Sequence, residues 1–321
     1  MSTRAYNWHV VTPEYPPQIG GVADYSCAVA AELHHQGAAV QVWHPGAGPL
    51  TDGYSSRGLK ALSAAIDQGK QPRRLFVQWV PHGYGYKAMN VPFCAWLLSR
   101  AAAGDHIDLM IHEPFLMFRE GTIKQDIAAA VHRLMMTMAL RASSRLWVAI
   151  PSWEPRVRPW LWGRSVPIEW LPVPSNIPVD PGPPSPLGNF FPAFPATTSP
   201  VVVGHFGTYG KAITLLLKEV IPPLLARPNV FVLLLGRDGD QVAASFGHPR
   251  VAGTGAQPAS ALSRSIAACD LFLQPFSDGV STRRSSAMAA LIHGKPLLTT
   301  TGLPTEPLWA ERQAAVLVPA A

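Results

Sequence analysis

The chain has 321 residues, which is longer than one ordinary domain, and its 48% apolar and 14% charged residues exclude an extended disordered chain. The net charge is +6, but the Lys and Arg residues are scattered along the chain. This distribution favours an anionic small substrate or a lipid surface over a nucleic-acid partner. Three widely spaced cysteines argue against a disulfide framework, and no signal-peptide or membrane-spanning run is present, so we expect a cytoplasmic protein.

Short apolar segments alternate with longer segments of helical period through the first half of the chain. Strands are predicted at residues 7–12, 39–43, 75–79, 107–111, 145–150 and 167–171. Helices are predicted at residues 22–36, 91–103 and 123–142. Because strand, helix and strand in succession give parallel strands with crossovers, this pattern predicts a doubly wound α/β sheet.

The alternation stops in residues 177–200, where eight of 24 residues are proline. Proline lacks the backbone donor of a sheet ladder, so this segment is predicted to be an extended linker. Apolar runs resume with VVVGHFG, FVLLLG, DLFLQP, KPLLTT and AAVLVP. The predicted organisation is therefore a first domain over 1–178, a linker over 179–199 and a second domain over 200–321.

A pair of glycines, Gly20 and Gly21, stands where the first strand gives way to a helix. Glycine lets a backbone approach a ligand closely, and the helix N-terminus presents N–H donors and a positive dipole end. The pattern predicts a phosphate contact, with Gly21 at positive φ. The alternative is a plain turn.

Residues 272–302 contain a second candidate for anion binding, in which two arginines precede a predicted helix. Arg283 and Arg284 offer bidentate donors, while Ser285 and Ser286 lie at the helix N-terminus. Together they predict a diphosphate site. The alternative is a solvated arginine pair with ordinary serine caps.

Six segments in a fixed order carry a family resemblance: PEYPPQIGGVADYS, LFVQWVPHGYGYKAMN and IHEPF, then VVGHFGTYGK, LLLGR and LFLQPFSDGVSTRRSSAMAALIHGKPLLTTTG. With them, nearly the whole chain resembles the GT-B glycosyltransferases of the family 4 type. The resemblance implies two Rossmann-like domains facing a cleft, a nucleotide-sugar donor held mainly by the second and an acceptor held by the first. It also implies that the glycine pair closes over the donor phosphates. The family continues through further helices after the strand VLVP, so a second domain truncated at its C-terminus is expected.

The chain departs from the family at two glutamates separated by seven residues, which address the donor sugar and the ribose. Ser281 and Ala289 occupy those positions. Asp278 replaces the first glutamate only if the loop is a few residues longer, and on that basis it is a candidate catalytic residue.

The family's arginine and lysine after the first strand of the second domain are also displaced. His205 stands in the arginine position, and Lys211 lies one residue beyond the usual lysine. Lys211, Arg283 and Arg284 are the candidates for the positive charge that binds the donor.

His112 and Glu113 directly follow a predicted strand, at the carboxyl end where parallel sheets bind ligands. An imidazole or carboxylate there suits proton transfer to or from an acceptor hydroxyl or the donor sugar. The alternative is a histidine that only closes the strand end.

Asp238 and Asp240 form an Asp-x-Asp sequence that holds a metal in some other glycosyltransferases. Here they follow a strand as a polar turn, so we predict neither a metal nor a cofactor. Arginine, lysine and helix dipoles then stabilise the leaving diphosphate.

Trp153, Trp160, Trp162 and Trp170 are interspersed with arginines in residues 152–170. This mixture indicates a surface at lipid headgroups, an acceptor-binding edge or a half-buried helix.

The sequence favours a retaining, metal-independent transferase that moves a sugar from a nucleoside-diphosphate sugar to an acceptor hydroxyl. The acceptor is a saccharide, a lipid-linked molecule or a small molecule, and peripheral membrane contact and self-association both stay open. The alternatives are another GT-B enzyme, such as an epimerase or a phosphorylase, and a non-catalytic sugar-nucleotide binder.

Overall fold

The computed structural model describes residues 6–18, 20–85, 88–118, 121–194 and 199–320. These form two compact units, Met1–Pro172 and Val173–Ala321. Residues 195–198 of the predicted linker lie outside the described residues. The three cysteines are free. None of the described helices is both long enough and apolar enough to cross a bilayer.

The first unit contains one parallel sheet of six strands in the order β2-β1-β3-β4-β5-β6. The strands are β1 (Asn7–Val11), β2 (Ala39–Trp43), β3 (Arg73–Trp79), β4 (His106–Ile111), β5 (Arg145–Val148) and β6 (Ile168–Trp170). All six coincide with predicted strands. The strand order reverses between β1 and β3, which is the point where open α/β sheets leave a crevice at their carboxyl ends.

The α-helices in the described part of the first unit are α1 (Gly21–His35), α2 (Ser56–Asp67), α3 (Val91–Ala102), α4 (Ile123–Ala142) and α5 (Glu154–Val157). Local capping explains where several begin. Ser55 accepts from the amide of Gly58 at 3.2 Å, and Asn90 accepts from the amide of Phe93 at 2.9 Å. Thr122 and Gln125 form a capping box. The sequence had not singled out α2.

The second unit contains a parallel sheet of six strands in the order β12-β11-β10-β7-β8-β9. They are β7 (Val201–Phe206), β8 (Val230–Leu235), β9 (Val251–Gly253), β10 (Leu271–Gln274), β11 (Leu297–Thr301) and β12 (Val316–Pro319). Counted from β7, this is the 3-2-1-4-5-6 order of the Rossmann fold, with its reversal between β7 and β10. Both units are therefore Rossmann-like, as predicted.

The helices of the second unit are α6 (Lys211–Leu225), α7 (Gly239–Ala244), α8 (Ala259–Ala267), α9 (Ser285–Ile292) and α10 (Leu308–Glu311). The core of this unit includes Ile177 and Phe191 from the proline-rich segment. The rings of Phe191 and Phe231 meet edge to face, with centroids 5.1 Å apart. The described part of this segment is thus anchored on the second unit by apolar side chains.

Candidate functional site

The carboxyl ends of β7 and β10 meet at the reversal point of the second sheet. Three buried polar atoms on these strands and in the loop after β10 have no hydrogen-bond partner among the described residues: His205 Nε2, Gln274 Oε1 and Ser281 Oγ. All three residues are at least 97% buried, since their exposed fractions are 3%, 0% and 0%. Because a buried polar atom without a partner costs free energy, each of these atoms is a candidate contact for a ligand or water.

The ring of His205 has a defined orientation. Its Nδ1 lies 2.8 Å from the carbonyl oxygen of Leu273, so Nδ1 carries the proton and Nε2 is an acceptor. Burial lowers the pKa of His205 to about 4, so the ring is neutral near pH 7. In the position where the resembled family has an arginine, this chain therefore offers an acceptor, which suits a ligand hydroxyl or N–H better than a phosphate oxygen.

Ser286 reaches the same place from α9. A methyl group added at Gly207 would lie 3.9 Å from His205 Nε2 and 4.0 Å from Ser286 Oγ. The structure thus brings His205 and Ser286 to one small space beside Gly207. The N-cap residue of α9, Arg284, makes no side-chain capping hydrogen bond.

Arg283, Arg284 and Asp278 form one ionic cluster. Arg283 donates to one carboxylate oxygen of Asp278 at 2.9 Å, and Arg284 donates to the other. The guanidinium of Arg284 also lies 4.8 Å above the ring of Phe276. With both oxygens engaged, Asp278 is placed to orient the two arginines.

Glu306 anchors the loop that carries these arginines. Sequence analysis had not indicated this residue. The buried Glu306 carboxylate accepts from the backbone N–H of Thr282 at 3.0 Å and from its hydroxyl at 2.6 Å. It also accepts from Nε1 of Trp309 at 2.8 Å. These bonds fix the backbone directly before Arg283 and Arg284.

Lys211 is the first residue of α6 and is exposed. Its side chain has no ion-pair or hydrogen-bond partner within the part of the chain that the structure describes. A cation is unfavourable at the positive end of a helix dipole, so a bound anion at this position would stabilise it.

In the first unit, the N-terminus of α1 is capped by Glu14. Its Oε1 accepts from the amides of Val22 and Ala23, both at 3.1 Å. A Cβ at Gly20 would lie 2.2 Å from that oxygen, whereas one at Gly21 would meet nothing within 4 Å. Gly20 therefore makes room for Glu14. The expectation of positive φ at Gly21 is wrong, because Gly21 is the first residue of a right-handed helix.

His112 and Glu113 have separate partners. Nε2 of His112 donates to Oε1 of Gln78 at 2.9 Å, and the ring meets Tyr25 edge to face at 4.9 Å. Burial lowers the pKa of His112 to about 4, which makes it neutral and a weak base near pH 7. Glu113 is half-buried and lies 3.8 Å from the ring of His82.

Asp238 and Asp240 belong to the start of α7. Asp238 is the N-cap residue with φ of 66°, and Asp240 lies in the first turn. In the described ranges, no three His, Cys, Asp or Glu side chains are grouped so as to hold a metal ion.

The buried histidines predict an acid-sensitive fold. Burial lowers the pKa of His9, His112 and His205 from 6.5 to about 4, so the unfolded chain binds protons that the folded chain does not. Stability is therefore lost as the pH falls from 6.5 towards 4, by about 1.4 kcal/mol per histidine at about pH 5.5. Denaturant unfolding at about pH 7.5 and 5.5 would measure this loss. His205→Asn, which can keep the bond to Leu273, should show a smaller loss; an unchanged loss would contradict the assignment.

Comparison with models of protein families and with curated protein sequences finds no match. Solved structures do match. HepE from Anabaena in complex with UDP-glucose has a TM-score of 0.59 at 14% identity, covering 98% of this chain and 86% of that one. A protein assigned as UDP-N-acetylglucosamine 2-epimerase from Listeria monocytogenes gives 0.58 at 10%, covering 98% and 85%. The catalytic domain of starch synthase IV from Arabidopsis thaliana, bound to ADP and acarbose, gives 0.57 at 12%, covering 93% and 84%.

These similarities show the fold. The chain has two Rossmann-like units, as in the GT-B fold that its motifs had predicted. Membership of glycosyltransferase family 4 in particular stays a prediction.

Proposed function

We propose that the protein is a glycosyltransferase that moves a sugar from a nucleoside-diphosphate sugar to an acceptor hydroxyl. The observation that carries this proposal is that the second unit combines two arginines oriented by Asp278, the N-terminus of α9, and the unpartnered Nε2 of His205 close to Ser286. That combination suits a ligand with both phosphates and hydroxyls.

Each donor-binding residue has a distinct proposed role. Arg283 and Arg284 neutralise the diphosphate, with Lys211 adding a third positive charge and the α9 amides at Ser285 and Ser286 donating to phosphate oxygens. As the bond from sugar to phosphate breaks, charge accumulates on the leaving group, so these contacts strengthen in the transition state.

The first unit is proposed to bind the acceptor and to contribute Gly20 and Gly21 to the donor. For Gly20 and Gly21 to do so through the α1 amides, Glu14 must first release Val22 and Ala23. Of the His112 and Glu113 pair, Glu113 is proposed to face the acceptor, because it is part exposed whereas His112 is buried and bonded to Gln78. Asp278 is proposed to contribute indirectly, by orienting Arg283 and Arg284.

A nucleotide-sugar epimerase is the second candidate, because the epimerase fold matches this chain as well as the transferase folds do. The two activities differ in products. A transferase releases nucleoside diphosphate and makes a new glycoside, whereas an epimerase returns a nucleotide sugar with one inverted carbon. A phosphorylase would require inorganic phosphate.

Incubation with a panel of UDP-, ADP- and GDP-sugars tests the proposal. We expect slow release of one nucleoside diphosphate without acceptor, faster release with the right acceptor, and retained anomeric configuration in the product by NMR. Interconversion of nucleotide sugars without release would establish the epimerase instead. If a nucleotide binds tightly but no nucleotide sugar is converted, the protein is a non-catalytic sugar-nucleotide binder.

Metal independence gives a separate prediction. Because Asp238 and Asp240 start a short helix, EDTA should leave turnover unchanged and Asp240→Ala should alter it by no more than a few fold. Turnover with EDTA, manganese and magnesium would be compared for both proteins. Activity lost in EDTA and restored by manganese would overturn this prediction.

A further inference from the structure

A face of the first unit is apolar although it is exposed. It comprises residues 115–118 after β4, the outer side of α4 and Trp162, and we refer to it as the β4–α4 face. Exposed fractions are 45% for Phe118, 80% for Ile123, 56% for Ile127 and 70% for Trp162. Large apolar side chains that are exposed together mark an interaction surface.

Ring contacts join the aromatic residues of this face to one another and to α4. The ring of Phe115 lies 6.1 Å from that of Trp160, which lies 6.4 Å from that of Trp162. The guanidinium of Arg133 on α4 stands 4.4 Å above Phe115 and 3.9 Å above Phe118. The aromatic residues of the β4–α4 face and Arg133 therefore form one continuous patch.

Helix α4 has apolar residues on two sides. Ala129 and Met136 are buried on its inner side, while Ile123, Ile127 and Leu134 recur at helical spacing and are exposed. Packing within the unit accounts for the inner side. The outer stripe is not buried by folding and so does not contribute to the hydrophobic core. Its apolar side chains indicate contact with an apolar partner or a lipid phase.

The stretch of sequence that contains the face is basic. Residues 113–164 contain eight Lys and Arg and four Asp and Glu, so they carry +4 of the chain's +6. Lys124 and Arg158 are exposed, and Arg156 lies 4.8 Å above the ring of Trp153. Basic side chains thus border an aromatic and aliphatic surface.

From this combination we infer that the β4–α4 face docks on an anionic lipid surface. Tryptophan and phenylalanine bind at the level of lipid headgroups, isoleucine enters the acyl boundary, and Lys and Arg attract anionic lipids. A second copy is a poorer occupant, because it would bring two surfaces of like charge together. This inference does not depend on the proposed transferase activity.

Vesicle flotation tests it with the full chain. We expect binding to vesicles of phosphatidylcholine mixed with phosphatidylserine, and weaker binding to phosphatidylcholine alone. Ile123→Gln/Ile127→Gln should lower the partition coefficient about tenfold, since both side chains leave the apolar boundary. Lys124→Gln should lower it about fivefold on the anionic vesicles only.

The matched control is Leu215→Gln/Ile292→Gln, which replaces two exposed apolar residues on helices α6 and α9 and should bind vesicles as the parent does. Lack of binding to anionic vesicles, or equal binding by the isoleucine and control variants, would overturn the inference. So would a dimer that the isoleucine variant abolishes while vesicle binding is absent, because the face would then belong to a second copy.

Discussion

Replacing Arg283 or Arg284 by alanine is expected to lower the rate of sugar transfer by about 100-fold for at least one of the two. Removing one preorganised donor from a developing negative charge typically costs that much. The loss should fall mainly on kcat, because charge on the leaving group grows as the bond to the sugar breaks. Steady-state kinetics with the preferred donor would measure it.

The control for this prediction is Arg312→Ala, an exposed arginine of the same unit. All three variants should keep the parent's melting temperature within a few degrees, because each arginine is only partly buried or exposed. If both Arg283→Ala and Arg284→Ala turn over donor at the rate of Arg312→Ala, the diphosphate is bound elsewhere.

Replacing Glu306 by glutamine should destabilise the second unit and impair transfer together. One amide oxygen cannot replace the carboxylate for the Thr282 N–H, the Thr282 hydroxyl and Trp309 Nε1, so at least one buried donor loses its partner. We expect a loss of about 3 kcal/mol, or a melting temperature lowered by roughly 6–12 °C. Calorimetry would measure it.

The kinetic effect separates positioning from stability. At a temperature where Glu306→Gln is fully folded, kcat/KM should still be at least about tenfold lower, since the loop before Arg283 and Arg284 is no longer fixed. Glu311→Gln, an exposed residue on the short helix α10 that follows Glu306, is the control and should behave as the parent. Normal kinetics in folded Glu306→Gln would restrict Glu306 to a structural role.

Most of the fold could be predicted from local sequence. The strands of both sheets are short apolar runs bounded by turns. Helix α4 begins at Ile123 and ends at Ala142, where the helical spacing of apolar residues begins and ends. β9 escaped prediction because Val251–Gly253 has one β-branched residue followed by alanine and glycine, which are depleted in strands. Its pairing with β8 depends on the tertiary structure.

The candidate site was less predictable, because its contacts join distant parts of the chain. Arg283, Arg284 and Ser286 stand out in the sequence through residue type and position before a helix. Glu306 does not, since its partner Thr282 lies 24 residues away.

Glu14 illustrates the same limit in the first unit. The Gly20 and Gly21 pair predicted a close approach at the start of α1. In the structure the approaching group at Gly20 is the chain's own carboxylate. A glycine pair indicates that a group can approach the backbone closely, but it does not indicate whether that group is a bound anion or a carboxylate of the chain itself.

Nucleoside-diphosphate binding tests the central claim most directly. Isothermal titration and melting curves with UDP, ADP and GDP would be recorded for the parent and for Arg283→Ala/Arg284→Ala. We predict that one nucleotide binds the parent at one site and stabilises it by about 2.7 kcal/mol at 100 times its dissociation constant. We also predict at least about tenfold weaker binding by the double variant. No binding by any of the three, or equal binding by parent and double variant, would contradict the account.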